Sequence, residues 1–265
     1  MTKRPVKREE ALRRNSTSTS VNRAFAILDA LAGGSESGIA LAETASKLHL
    51  SRSTAHRYLI TLEKLGAIER DGQDRFHLGL KMIELAGRTL SSNDLRQQGE
   101  PFLRELASRT EETSHLAVLS GLEVVYIAKA DSARAIRMYS HIGARAPVYS
   151  TALGKAILAH SDKTLFEQVV QAGLVSRTPH SITSRRALLQ EIERVRQRGF
   201  AVDAEENELG VCCLGAPVFD YSSRPIAAIS ISGPAERITP ARQPELGRVV
   251  RDAALRLSRR MGYPR

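Results

Sequence analysis

Ser51-Arg52-Ser53-Thr54-Ala55-His56-Arg57-Tyr58-Leu59-Ile60-Thr61-Leu62-Glu63-Lys64-Leu65-Gly66 reads as one complete helix. Ser51 is placed to cap the free N–H groups at its start, and Gly66 supplies the left-handed residue that stops it. Ala55, Leu59 and Leu62 fall on one stripe at helical spacing, with Tyr58 and Leu65 on its margin. Ser53, His56, Arg57, Ile60 and Lys64 project from the other side. The polar face is concentrated in the first two turns, where Ser51, Arg52, Ser53, Thr54, His56 and Arg57 offer short-range donors. A DNA recognition helix needs this layout, because its first turns enter the major groove while its apolar back stays on the domain. An ordinary amphipathic surface helix fits the same stripe.

The flanking sequence separates the two readings. Upstream, residues 39–48 predict a short helix with Leu41, Ala45 and Leu48 on one side, and Leu48-His49-Leu50 leads straight into Ser51. Two short helices joined so tightly are a helix-turn-helix. Downstream, 67–70 and 75–78 are alternating segments around Asp71-Gly72-Gln73-Asp74, a hairpin with its turn signal. The combination is a winged helix-turn-helix whose wing is expected to carry Arg70 and Arg75 toward the phosphates. A first helix, capped by Ser20, places Val21, Ala24, Phe25, Leu28 and Leu31 at core spacing and stops at Gly33-Gly34.

At 265 residues and 42% hydrophobic, the chain has room for two domains. No apolar run approaches the roughly 20 residues that span a bilayer. The charged, Ser/Thr-rich N-terminus lacks a signal-peptide core, so a cytoplasmic location without membrane contact is expected. The two cysteines, Cys212 and Cys213, are adjacent, which provides neither a disulfide framework nor metal-ligand spacing. The formal charge of +10 is unevenly placed: Lys3, Arg4, Lys7, Arg8, Arg13, Arg14 and Arg23 face only Glu9 and Glu10 before residue 26. A flexible basic arm over 1–19 would add sequence-independent phosphate attraction, although a merely solubilising tail has the same composition.

The expected organisation is an α+β protein: a tail over 1–19, a winged helix-turn-helix over 20–79, a linker helix over 80–94 and a second domain over 95–265. The linker is apolar on more than one side, as befits a helix covered by a second copy or a second domain. Beyond it, helices are predicted at 101–109, 152–159, 165–172, 187–198 and 246–261. Strands are predicted at 114–119, 123–130, 136–142, 200–204, 215–219 and 225–233. Strands in runs beside helices, without regular βαβ alternation, indicate an α+β sheet domain.

Four motifs carry a family resemblance: Leu50-Ser51-Arg52-Ser53-Thr54-Ala55-His56-Arg57, Tyr149-Ser150-Thr151-Ala152-Leu153-Gly154-Lys155-Ala156, the run from Asp203 through Glu208 to Val211, and Ala228-Ile229-Ser230-Ile231-Ser232-Gly233-Pro234. Over essentially its whole length beyond the tail, the chain resembles the IclR-type bacterial transcription regulators. Within that family, His115-Leu116, Val125-Tyr126-Ile127 and the segment from Arg137 to Gly143 are most similar to repressors answering to 2-keto-3-deoxygluconate and related sugar acids. The resemblance implies a GAF-like effector-binding domain, with a small-molecule site formed by the backbone at Ala152 and Leu153 and by Asp203, Cys213, Ser230 and Ser232. Met138, Ala146 and Val211 would form apolar walls. A single winged domain reads a short half-site and the apolar linker needs covering, so at least a homodimer on a pseudo-palindromic double-stranded DNA operator is expected, with the resemblance suggesting a homotetramer of two dimers. A small carboxylate effector is expected, and no cofactor or metal. Activation of aromatic-acid or other carboxylate catabolism is the alternative.

Residue chemistry supports this site independently. Thr151 to Lys155 begins a helix, where unpaired N–H groups and the macrodipole favour a carboxylate. Ser230 and Ser232 are two apart on a strand and face one side. Asp203 can accept hydrogen bonds from sugar hydroxyls. Duller roles are open for several of these residues: Ser230 and Ser232 as polar positions of a half-buried strand, Cys213 as a small wall residue, and Lys155 as an ion-pair partner instead of a ligand clamp. Glu205, Glu206 and Glu208 read as a solvated acidic loop, since no histidine lies nearby to complete a metal site. An enzyme on the second domain lacks any Cys–His or Ser–His–Asp ordering and any phosphate loop. A DNA-binding module that works through a partner protein without an effector is the other rival.

Overall fold

The structure, a computed structural model, describes residues 18–33, 37–91, 94–134 and 140–264. The basic tail before Ser18, Gly34, and the segment containing Arg137 and Met138 lie outside the described residues. The chain divides into two compact units between residues 92 and 93.

In the N-terminal unit, α1 (Thr19–Ala32) is capped by Ser18 and buries Ile27, Ala30 and Leu31. Val21 and Phe25, expected in the core, are 54% and 62% exposed. The inward stripe is centred on Ile27, and Phe25, two residues earlier on the helix, then points roughly the opposite way. Residues 39–40, expected to open a helix, form β1 (Ile39–Ala40) instead, before α2 (Leu41–Lys47). Ile39 pairs with Phe76 of β3 (Arg75–Leu78), a partner far away in sequence. His49 takes a left-handed φ of 52° in the turn, and α3 (Arg52–Lys64) follows. Ser51 Oγ accepts the Thr54 N–H at 3.2 Å, and Gly66 has φ +70°, as the helix signals required. Ala55, Leu59 and Leu62 are buried, and the two leucines join Ile27, Ile68 and Phe76 in one core. β2 (Ile68–Arg70) and β3 make the wing, whose turn is closed by the Asp71 carboxylate accepting from the N–H groups of Gln73 and Arg75. α4 (Leu80–Ser91) contributes Met82 to this core and leaves Leu80, Ile83 and Leu85 exposed.

The C-terminal unit is an antiparallel six-stranded sheet in the order β6-β5-β4-β9-β8-β7. Its strands are β4 (Thr113–Ser120), β5 (Glu123–Ala130), β6 (Arg145–Pro147), β7 (Ala201–Ala204), β8 (Val211–Phe219) and β9 (Pro225–Pro234). Two strand expectations need correction. The third strand runs over 145–147, and the described residues 140–142, expected to end it, are not in a strand. β8 begins at Val211, because Val211 to Leu214 pair with β9 across a register that local sequence does not display.

Alternation along the central strands divides the unit into layers. Leu116, Leu214, Ile229 and Ile231 face one side, packing on α5 (Asp94–Thr110) and α9 (Gln243–Arg260) through Leu103, Leu106, Val250 and Leu257. Ala117, Ala201 and Ala228 face the other, beneath α6 (Ala152–His160), α7 (Lys163–Ala172) and α8 (Arg185–Arg198). Small residues on this second face leave room for α6, which is buried from Ala152 to Ala159. The result is a helix–sheet–helix sandwich of GAF-like form.

Candidate effector cavity and nucleic-acid interface

On α3 the outward residues Arg52, Ser53, His56 and Arg57 are exposed along one face. Ser51 and Thr54 are partly occupied: the Ser51 hydroxyl donates to Thr54 Oγ1 at 2.8 Å and lies 3.1 Å from Ser53 Oγ, so these hydroxyls knit the helix start. Arg57 lies over the Tyr58 ring at 6.0 Å from its centroid, with its guanidinium on the exposed face.

The wing departs from expectation. Arg75 is spent within the unit: Nε donates to the Ser37 carbonyl at 2.6 Å, Nη2 to the Gly38 carbonyl at 2.8 Å, and Nη2 also meets Glu43 at 3.2 Å. A planar guanidinium satisfied on backbone carbonyls ties β3 to the segment before β1, so Arg75 is a structural clamp here and not a free phosphate contact. Arg70 pairs with Glu63 at 3.5 Å and Asp74 at 3.3 Å, both on the surface, where such pairs exchange readily for a phosphate.

In the C-terminal unit one cavity of about 210 Å³ gathers Ala152, Leu153, Asp203, Cys213, Ser230 and Ser232. These come from α6, β7, β8 and β9, and strand register explains the convergence. Asp203 stands opposite Cys213, Cys213 opposite Ser232, and Ser230 opposite both Gly215 and His115. All therefore point from the same face of the sheet. Gly215 lets α6 begin directly over that face: a Cβ there would come within 2.8 Å of the Ala152 carbonyl group and 3.0 Å of the Leu153 nitrogen. Thr151 caps α6 by accepting the Gly154 N–H at 3.1 Å. The first-turn N–H groups of Ala152 and Leu153 have no intrahelical partner, so they present partial positive charge to the cavity. The Ser230 hydroxyl is buried and has no hydrogen-bond partner among the described residues. A buried hydroxyl left unpaired is costly, which marks it as a group awaiting a ligand atom or water.

The two families of contacts, one per unit, coincide with two family profiles. The IclR helix-turn-helix domain matches residues 20–72, and the bacterial transcriptional regulator IclR C-terminal domain matches residues 87–259. The chain belongs to the IclR family. It is similar to the HTH-type transcriptional regulator KdgR of Escherichia coli (strain K12), 40% identical over 247 residues, covering 92% of this chain and 93% of the relative. The HTH-type transcriptional regulator XynR of the same organism is 36% identical over 247 residues, covering 92% and 98%. Among solved structures, the IclR of Thermotoga maritima superposes with a TM-score of 0.75 at 36% identity, covering 92% of this chain and 99% of that one. The first two relatives are named as transcriptional regulators. This IclR-family protein is accordingly a DNA-binding transcriptional regulator with a C-terminal effector domain.

Within the IclR-family cavity, Ala146 and Val211 lie on the wall as expected. Lys155, left between two roles, is fully buried away from the lining: Nζ donates to the Val202 carbonyl at 2.5 Å and forms an ion pair with Glu206. Glu206 is itself 7% exposed, so the acidic loop is not wholly solvated; its carboxyl is the counter-charge of that lysine. No group of three or more candidate metal ligands occurs among the described residues, and no helix there is long and apolar enough to cross a membrane.

Sequence reading missed His115, Tyr126, Asn207 and Glu208 as cavity residues. His115 is 3% exposed, bonds Ser140 Oγ through Nε2 at 2.7 Å, and meets the Tyr126 ring edge-on at 5.1 Å. Burial, reinforced by nearby Lys129, holds its pKa down at about 3, so the imidazole is neutral. Its sequence signals were the alternation with Leu116 and the resemblance of His115-Leu116 to the sugar-acid repressors, and they become a site only once β4 is known to lie beside β9. Asp203 moves the other way. Burial raises its carboxyl to about 7, against the pull of Lys155 and with the push of Glu206.

Proposed function

We propose that this regulator represses a catabolic operon and is released by a small sugar-derived monoacid of the 2-keto-3-deoxygluconate kind. The observation that carries the reading is the unpaired Ser230 hydroxyl in a small cavity that the first turn of α6, at Ala152 and Leu153, also lines. The helix start favours an anion, and Ser230, Ser232 and Asp203 favour hydroxyl or keto oxygens. The cavity is smaller than the roughly 300–1,000 Å³ that holds drug-sized ligands, which suits one short-chain acid. Glu208, exposed at the cavity wall, disfavours a second carboxylate, so monoacids are preferred over diacids. Titration calorimetry with 2-keto-3-deoxygluconate, pyruvate and gluconate is the test: Ser230→Ala should weaken binding about tenfold, the scale of one buried hydrogen bond. Equal binding by the two proteins would mean the pocket is misassigned.

DNA reading is assigned to the exposed face of α3. Arg57→Ala should remove operator discrimination, since a bidentate arginine–guanine contact is worth about 1–3 kcal/mol. Deleting residues 1–17 should instead weaken binding to all sequences alike and flatten its salt dependence. A competition gel shift in which Arg57→Ala keeps its operator preference would refute the assignment.

The exposed apolar side chains of α1 and α4, Val21, Phe25, Leu80, Ile83 and Leu85, support a second copy covering this unit, with pairs of dimers as the larger assembly. A dimer would read a pseudo-palindromic operator. Sedimentation should show at least a dimer at micromolar concentration with operator present; a monomer there would sink the proposal.

A further inference from the structure

We propose that the effector cavity takes up its acid ligand together with one proton, carried on the Asp203 carboxyl, so that Asp203 donates a hydrogen bond to the bound anion. This rests on the small-acid reading above and adds the protonation state in which that site works.

The starting point is a shortage of positive charge. Among the described residues lining the cavity, the basic side chains are His115, His141 and Arg145. His115 on β4 is neutral, for the reasons given. Arg145 on β6 is engaged at the sheet edge, with Nε on Glu123 at 2.6 Å and Nη2 on the Ser120 carbonyl at 3.0 Å. His141 is exposed at the rim. The two nearby ammonium groups are also committed: Lys155 of α6 to Glu206 and the Val202 carbonyl, and Lys129 of β5 to Asp131 at 2.8 Å and the Ser140 carbonyl at 2.9 Å.

Negative charge is close by. Glu208 lines the cavity with Asp203, Glu206 lies behind Asp203, and Glu205 belongs to the same turn. The remaining titratable neighbours stay neutral: burial raises the Cys213 thiol on β8 and the Tyr126 phenol on β5, and pushes Cys212 up to about 12. A helix start contributes only about half a unit of positive charge. A carboxylate entering here therefore meets an uncompensated field unless a proton enters with it.

Asp203 is the group built to hold that proton. It is 2% exposed, while Glu208 is exposed and solvated. Oδ1 accepts the Glu206 N–H at 2.8 Å and the Asn207 N–H at 3.3 Å, which leaves Oδ2 to carry hydrogen. The carboxyl already titrates near neutrality in the empty cavity, and an adjacent anion raises it further. The balance is simple: anion plus one solvent proton plus protein gives the complex, with no covalent change. Affinity should be flat below neutral pH and fall about tenfold per pH unit above it. Asp203→Asn reproduces the protonated carboxyl, with an oxygen for the two backbone N–H groups and an amide to donate, but cannot titrate.

The test is calorimetry on the full chain with 2-keto-3-deoxygluconate, gluconate and pyruvate at pH 6 and pH 8, in two buffers of different ionisation enthalpy. Wild-type protein should take up about one proton at pH 8 and little at pH 6. Asp203→Asn should take up none at either pH and bind equally well at both. In parallel, the ¹³C resonance of the Asp203 carboxyl in ligand-free protein should titrate near neutral pH. Binding at pH 8 without proton uptake, or a carboxyl titrating in the ordinary range, would overturn the proposal. No heat from any of the acids would overturn the small-acid reading and the coupling with it, a result distinct from binding without a proton.

Discussion

Lys155→Met is expected to destabilise the C-terminal unit by about 3–5 kcal/mol, the usual cost of removing one partner of a buried ion pair. Lys155 is wholly buried, and its ammonium is held by the Glu206 carboxylate and the Val202 carbonyl. Methionine fills much of the volume but leaves Glu206 without its counter-charge, and one oxygen of that carboxyl, Oε2, already lacks a partner among the described residues. Burial already raises the Glu206 carboxyl, and without the lysine it rises further. A raised acid favours the folded state when protonated, so the deficit should shrink as pH falls and be largest at neutral pH and above. Urea unfolding at pH 5 and pH 8 measures it. Pairing the change with Glu206→Gln should recover much of the loss, because both charges then leave together. Single and double variants of equal stability to wild type would mean that the pair is dispensable.

Gly215→Ala should cut effector affinity by more than tenfold and cost about 1–3 kcal/mol of stability, the range for overpacking a filled interior. The added carbon would press on backbone atoms of Ala152 and Leu153, which cannot rotate aside as a side-chain tip would. The α6 start must lift, and the cavity wall formed by Ala152 and Leu153 shifts with it. DNA binding in the absence of effector should survive, since α3 belongs to the other unit. Gly72→Ala in the wing, where a Cβ meets nothing within 4 Å, is the control and should leave effector affinity unchanged. Thermal unfolding and calorimetry check both; wild-type affinity in Gly215→Ala would separate the α6 start from the ligand site.

Local signals were enough for the elements whose causes are local. Ser51, Gly66 and the stripe of Ala55, Leu59 and Leu62 define α3 through contacts no more than a few turns apart. The hairpin of β2 and β3 closes on its own Asp71 turn. The motif positions Ala152, Leu153, Asp203, Cys213, Ser230 and Ser232 were likewise legible one by one, through the resemblance and the alternation of the strands. Pairings between distant segments were not. Ile39 reads as the start of a helix until Phe76 lies beside it. The choice between Phe25 and Ile27 as the inward residue of α1 depends on which side the neighbouring helices occupy. Arg75 looks like a phosphate contact until the carbonyls of Ser37 and Gly38 are brought within its reach. His115 enters the site only because β4 lies next to β9. The amino-acid sequence by itself determined the two-domain plan, the capped helix α3 of the helix-turn-helix and the chemical types that meet in the cavity, because periodicity, caps and motif spacing are short-range properties. Tertiary structure alone decided which charges are spent on one another and which are left for a ligand, because burial and counter-charge are set by residues that chain order keeps far apart.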